Sequence, residues 1–470
     1  MVYINGEWIK TNNRIEVKNP STNDIVESVS IVGEKETKKA IESAKSAYNS
    51  WKKTTADERI KYLKKVSYLL NDISEELAIL ITKENGKSIK DARMEVQDGI
   101  DFVDWYIEEA RRVYGDVLPA SHEAKKLFVL KEPVGVCAAI TPWNFPLSMI
   151  TRKIAPAIAA GCTVILKPAS ATPLSAVKVF ECFHKAGLPK GVVNLVIGSA
   201  KEIGKTLTKS KDVKKLTFTG STVVGKQLMK ASADTVKNVS MELGGHAPYI
   251  IFADADIDSA IKGVIGSKFT NSGQTCISTN RIFVEESIAK EFSQKLAQKV
   301  ERLTVGDGLN EETDVGPLID EDSMLKILNQ IDDAKQKEGK VICGGNKQSK
   351  PNEGYFLEPT VIENANDQML IAQEETFGPV APIFTFKTEE ELIERANHDN
   401  YGLAGYCYTK DLSRGLRMMN ELEYGILGIN DASPTVIQAP FGGVKESGIG
   451  SEGGKYGIEE YLIEKFVSVQ

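Results

Sequence analysis

At 470 residues the chain exceeds what one hydrophobic core supports, so two or three domains are expected. With 41% hydrophobic and 26% charged residues it reads as globular, and a net charge of −7 spread over interspersed acids and bases excludes nucleic acid as the main partner. The longest apolar run, Ile154 to Leu166, is broken by Pro156 and Gly161 and falls short of the roughly 18 residues that cross a bilayer, so no membrane association is expected.

In chain order, Tyr3–Ile9 with Asn5-Gly6 at its middle predicts a hairpin. From Glu34 to about Val113 the apolar spacing is helical, and one of these helices closes at Gly86. Phe128–Ile140 alternates and then turns continuously apolar, as a single strand entering a core does. Between Thr163 and Ala233 strands and helices take turns (TVILK, LSAVKVFECFHKAG, VVNLVIG, AKEIGKTLTKS, KKLTFTG, VGKQLMKASA), the pattern of an open parallel sheet covered on both faces. A second alternation runs from near Ala247 to about Asn430. Two α/β units with a cleft between them follow.

The chemistry centres on Cys276. It sits among amides and hydroxyls, from Phe269 to Arg281, where substrate reaches a thiol and a thiolate is held. The other five cysteines lie in apolar runs and read as inert core thiols. Glu242, 34 positions upstream in Met-Glu-Leu-Gly-Gly, adds a carboxylate base. A thiolate and a base suit a covalent acyl intermediate that is then hydrolysed. There is no CxxC, and the four histidines are scattered, so no metal site is expected and a reducing cytoplasm is. Gly220 to Gly225 followed by Lys226 comes close to a phosphate-binding loop, but Gln227 replaces the hydroxyl that would ligate Mg²⁺. It is either an ordinary βα turn or a helix start, at Ser221, that receives a dinucleotide phosphate. A P-loop nucleotide hydrolase and a non-enzymatic scaffold are the rival readings.

TPWNFPL (141–147), LKPAS (166–170), FTGSTVVG (218–225), MELGGHAP (241–248), NSGQTC (271–276), DVGPL (314–318), QEETFGPV (373–380) and PFGGVKESGIG (440–450) occur in this order. Together they resemble the aldehyde dehydrogenase superfamily over essentially the whole chain, and the overall pattern looks nearest to its succinate-semialdehyde branch. The resemblance implies two doubly wound α/β domains, a Rossmann-like cofactor domain (1–114 and 138–243) and a catalytic domain (244–430). A segment (431–454) returns to the domain interface, and a small β oligomerisation element (115–137 and 455–470) makes a homodimer or homotetramer.

By the same resemblance Cys276 attacks the aldehyde, Asn144 steadies the oxyanion, and Glu242 activates water against the thioester. Trp143, Lys167, Ser170, Gly220, Ser221, Gly225, Glu375 and Phe377 are implied in cofactor binding, while Lys226 reads as a solvated helix lysine. NAD-preferring members often carry a glutamate where this chain has Ser170. A serine leaves room for the extra phosphate, so NADP is expected, with NAD possible. Arg152 matches the branch's carboxylate-binding arginine, and the spacing Asn144, Ser148, Arg152 predicts one shared helix face. Two departures stand out. Thr270 replaces a second arginine and Ser278 a second cysteine, which leaves lactaldehyde, glyceraldehyde and other small aldehydes as alternative substrates.

Overall fold

The computed structural model describes residues 1–348 and 354–470. A hairpin of β1 (Val2–Ile4) and β2 (Glu7–Ile9) opens the chain as expected, and β3 (Arg14–Lys18) pairs with β4 (Ile25–Ser30). Helices α1 (Glu34–Trp51), α2 (Ala56–Asp72), α3 (Ser74–Asn85) and α4 (Ile89–Glu109) follow, α3 ending at Gly86. Next come β5 (Asp116–Leu118), β6 (Lys126–Pro133), β7 (Val136–Ile140), α5 (Ser148–Ala160), β8 (Thr163–Lys167), α6 (Leu174–Ala186), β9 (Val193–Leu195), α7 (Ala200–Lys209), β10 (Val213–Thr219), α8 (Thr222–Ala233) and β11 (Asn238–Glu242). The second alternation is β12 (Ala247–Ile251), α9 (Ile257–Phe269), β13 (Thr279–Glu285), α10 (Glu286–Val300), α11 (Glu321–Gln336), β14 (Lys340–Cys343), β15 (Thr360–Glu363), α12 (Leu370–Gln373), β16 (Val380–Phe386), α13 (Glu389–Asn397), β17 (Ala404–Tyr408), α14 (Leu412–Glu421) and β18 (Ile426–Ile429). The chain closes with β19 (Gly448–Ile449), α15 (Gly454–Glu459) and β20 (Leu462–Val469).

The first large sheet has the order β19-β11-β10-β7-β8-β9-β1-β2, with β11, β10, β7, β8 and β9 parallel. Every residue of β7 and β8 is buried, as a parallel sheet covered on both faces requires. Strand order reverses between β7 and β10, and a doubly wound sheet binds its ligand at the carboxyl ends beside such a switch. The second sheet, β14-β15-β16-β13-β12-β17-β18, is parallel except at β14. A small sheet, β20-β6-β5, stands apart from both.

Two sequence expectations need correction. Phe128–Ile140 is not one strand: β6 ends at Pro133 in the small sheet and β7 starts at Val136 in the large one. Gly135, at φ 131°, takes the chain from one to the other in a conformation that L side chains avoid, so Val136 and Cys137, the last residues of the segment 115–137 expected to form the small element, belong to the large sheet instead. Asn144 does not share a helix with Ser148 and Arg152; it precedes α5, in the loop that crosses the switch point.

Candidate active site

The polar residues around Cys276 pin its loop rather than the thiol. Past the end of α9, Asn271 and Ser272 turn left-handed at φ 49° and 56°. The Asn271 N–H donates to Asp91 Oδ2 at 2.8 Å, Ser272 Oγ donates to the Gly316 carbonyl at 2.8 Å, and Gln274 Oε1 accepts from the Ile319 N–H at 2.9 Å. Cys276 is partly accessible; among the others Cys343 is also half-buried, while Cys137, Cys162, Cys182 and Cys407 are fully buried. Burial pushes the Cys276 thiol up to about 12, and the nearby Arg152 guanidinium opposes that shift.

Two cavities meet at this sulfur. One of about 350 Å³ opens over the switch point, lined by Trp143, Asn144, Gly220, Ser221, Glu375 and Phe377 among others. The second, about 140 Å³, is lined by Asp98, Phe102, Phe145, Ser148 and Arg152, and by residues 435–437, Ala439, Phe441 and Gly453 after β18. Cys276 and Met149 border both.

Asn144 is buried at the wall of the larger cavity. Its Nδ2 donates to the Gln274 carbonyl at 2.9 Å, and its own carbonyl accepts from Lys87 Nζ at 2.8 Å and from Asn271 Nδ2 at 3.0 Å. Lys87 is fully buried in an ion pair with Glu95 at 2.6 Å. The other Glu95 oxygen accepts from the N–H groups of Leu147 and Ser148 and so caps α5.

Glu242 ends β11, 2% exposed, and neither carboxylate oxygen has a hydrogen-bond partner among the described residues. Burial and the neighbouring Glu452 carboxylate push it well above the usual carboxylate range, against the pull of Arg152 and Lys153. Glu452 is held by both cations, with Arg152 Nε 2.5 Å from its Oε2 and Lys153 Nζ on its Oε1. Lys153 also donates to Thr217 Oγ1 at 3.1 Å. The buried Arg152 guanidinium lies 4.3 Å from the centre of the Phe441 ring.

The switch-point cavity fits a dinucleotide. Ser221 precedes α8 without capping it, so the first N–H groups of the helix are free for a phosphate. Glu375 reaches Gly245 N–H at 2.9 Å, is pushed up to about 7 by burial, and lies beside Phe377, whose ring meets Trp143 edge-on at 5.6 Å. Lys167 ends β8; burial lowers its amine to about 8, and Nζ has no acceptor among the described residues. Lys167 and the exposed Ser170 stand outside the cavity itself, and Gly225 is buried within α8. Lys226 pairs with Glu446 at 2.6 Å on the surface, as a solvated helix lysine does, so it does not act as a P-loop lysine.

A family model described as the aldehyde dehydrogenase family matches residues 8–467. The chain belongs to the aldehyde dehydrogenase family. It is an NAD(P)-dependent oxidoreductase with the two α/β domains of that family, which removes the nucleotide-hydrolase reading. The mitochondrial succinate-semialdehyde dehydrogenase of Oryza sativa subsp. japonica is 50% identical, covering 99% of this chain and 88% of that protein. The glutarate-semialdehyde dehydrogenase of Pseudomonas putida is 48% identical (99% and 97% covered), and the NADP(+) succinate-semialdehyde dehydrogenase GabD of Escherichia coli 47% (99% and 97%). A crystal structure of succinate-semialdehyde dehydrogenase from Burkholderia pseudomallei superposes with a TM-score of 0.98 at 45% identity, covering 100% of this chain and 97% of that one. No helix among the described residues is long and apolar enough to cross a membrane.

Sequence reading missed Lys87, Glu95, Asp98 and the Lys153–Glu452 pair. One signal was there: Arg152 and Lys153 stand together in the otherwise apolar MITRKIAPAIAA, and two cations inside a buried helix demand a buried acid.

Proposed function

We propose that this dehydrogenase oxidises succinate semialdehyde to succinate and prefers NADP⁺. The observation that carries the reading is the junction of the two cavities at Cys276, with the hydrogen-bond-free carboxylate of Glu242 and the buried guanidinium of Arg152 close by. Cys276 Sγ, once deprotonated, adds to the aldehyde carbon and forms a thiohemiacetal. Asn144 Nδ2 and the Cys276 N–H donate to its oxygen, each such donor being worth about 3 kcal/mol of barrier. Trp143, Gly220, Ser221, Glu375 and Phe377, with Lys167 and Ser170 beyond them, hold the dinucleotide, which when bound supplies the two-electron acceptor. Oxidation leaves a thioester on Sγ, and Glu242 takes a proton from the water that hydrolyses it.

Arg152 sets the four-carbon acid preference. Nε serves Glu452 and Nη2 the Met149 sulfur at 3.0 Å, whereas Nη1 has no protein acceptor among the described residues, which leaves it for a carboxylate at the far end of a short substrate. Thr270 is not among the residues that line this cavity, so one arginine does the binding. Glutarate semialdehyde is the second reading, favoured by the 48% identity to an enzyme named for it. A cytoplasmic homodimer or homotetramer is part of this proposal.

Steady-state kinetics test both halves. Succinate semialdehyde is expected to exceed propanal by at least tenfold in kcat/KM, and NADP⁺ to exceed NAD⁺. Arg152→Lys keeps a cation beside Glu452 but shortens the reach, and is expected to raise the KM for succinate semialdehyde by about tenfold. Parity with propanal or an unaltered KM overturns the substrate, and a tenfold advantage for NAD⁺ overturns the cofactor.

A further inference from the structure

The small cavity presents an acid as well as Arg152. Asp98 and Phe102 stand one turn apart on α4, and both line the space that leads to Cys276. Asp98 is exposed, so it belongs to the solvent-facing part of this lining, while Arg152 is buried beside Glu452 deeper in. Unlike Glu95, three residues before it, which spends both oxygens on Lys87 and the start of α5, Asp98 has no hydrogen-bond or ion-pair partner among the described residues. Its fold role is therefore small. Asp101, a turn further on and outside the lining, adds a second negative charge to the same stretch of helix.

We propose that Asp98 is a specificity-determining residue, an acid at the cavity entrance that discriminates aldehydes by the charge of their distal group. It repels substrates with a terminal anion on their way to Arg152 and favours those with a neutral, hydrogen-bond-donating or cationic end. The single arginine then works against a like-charged entrance. Carboxylate recognition is in consequence shallow, and the range of short aldehydes accepted is wider than Arg152 alone would give. This rests on the reading of the Cys276 cavity as the site of aldehyde oxidation, but not on succinate semialdehyde being the best substrate.

The test uses three four-carbon aldehydes of like shape: succinate semialdehyde (anionic), butanal (neutral) and 4-trimethylammoniobutanal (cationic). Each is assayed with the wild-type enzyme, Asp98→Asn and Asp98→Lys at low ionic strength. A single charge at a partly screened entrance changes binding by about five- to tenfold. The kcat/KM ratio of anionic to neutral aldehyde is expected to rise by about that factor in Asp98→Asn and further in Asp98→Lys, carried by KM. The cationic-to-neutral ratio is expected to fall in the same order, and both changes shrink in 0.5 M salt, a condition chosen at roughly three times physiological ionic strength. Ratios that stay within about twofold in both variants overturn the proposal. If the wild type oxidises butanal as well as succinate semialdehyde, the substrate assignment fails, while the response of the ratios to Asp98 still decides this one.

Discussion

Lys87 shows how much of the site is carried by residues that touch no substrate. Its amine holds the Asn144 carbonyl and, through Glu95, the start of α5, so one buried cation fixes both the amide above Cys276 and the helix that carries Met149 and Arg152. Lys87→Met leaves Glu95 as an unpaired buried charge and is expected to cost about 3–5 kcal/mol of stability in denaturant titrations. A cost under about 1 kcal/mol shows that water replaces the amine. Glu242 makes a different prediction. Burial raises the pH at which its carboxyl ionises in the fold above the 4.5 of the unfolded chain. Rising pH therefore favours the unfolded state from there until the folded carboxyl ionises. Glu242→Gln removes that loss, so its Tm is expected to gain on the wild type as pH rises above about 4.5. A constant difference across the range means that the carboxyl is already ionised in the fold. Cys276 and Glu242 were legible in the sequence because each breaks its local context, a thiol among amides and an acid after an apolar strand. Lys87 and Glu95 look like the many helix charges around them, and only the fold reveals that they are buried.

At the level of elements, the loops that join strands to the site are defined by how closely they approach one another. Gly245, just before β12, has no side chain because a Cβ there would lie 2.3 Å from the Cys276 carbonyl oxygen. The same loop is held by Ser447, which donates to the Gly244 carbonyl at 2.7 Å while its own carbonyl accepts the Leu243 N–H at 2.9 Å. Much of the MELGG and KESG pattern thus serves to press one loop onto another. Gly245→Ala is expected to shift the Cys276 backbone and lower kcat at least about a hundredfold, as small misplacements at reacting groups do, while the far-ultraviolet circular dichroism stays native. Retained kcat would mean that the Cys276 loop yields without consequence. Element types along the chain followed from periodicity, but two junctions did not. β6 and β7 read as one apolar stretch because nothing except Gly135 marks the change of sheet, and Asn144 seemed helical because its spacing to Arg152 fits a helix that starts four residues later.

On the scale of the whole molecule, strand alternation indicated parallel sheets but not their order, since strand order depends on long-range pairing that local pattern does not encode. Sequence therefore could not show that Cys276, before β13, approaches from the amino end of the second sheet to meet the carboxyl ends of the first. The small sheet raises the remaining question of assembly. β20 pairs with β6 over eight residues, from Leu462 opposite Pro133 to Val469 opposite Lys126, and the resulting ribbon exposes Val117 (76%), Phe466 (61%) and Leu130 (44%). Large apolar side chains exposed on a thin sheet are costly in water, and a second copy of the chain would cover them without changing the protomer fold. Sedimentation of the purified enzyme is expected to give a dimer or tetramer. Val117→Glu with Phe466→Glu is expected to lower that mass without loss of helical signal, because both side chains already face solvent in the single protomer. An unchanged mass in the double variant would place the subunit contact on another face, and a monomeric wild type would remove the need for one.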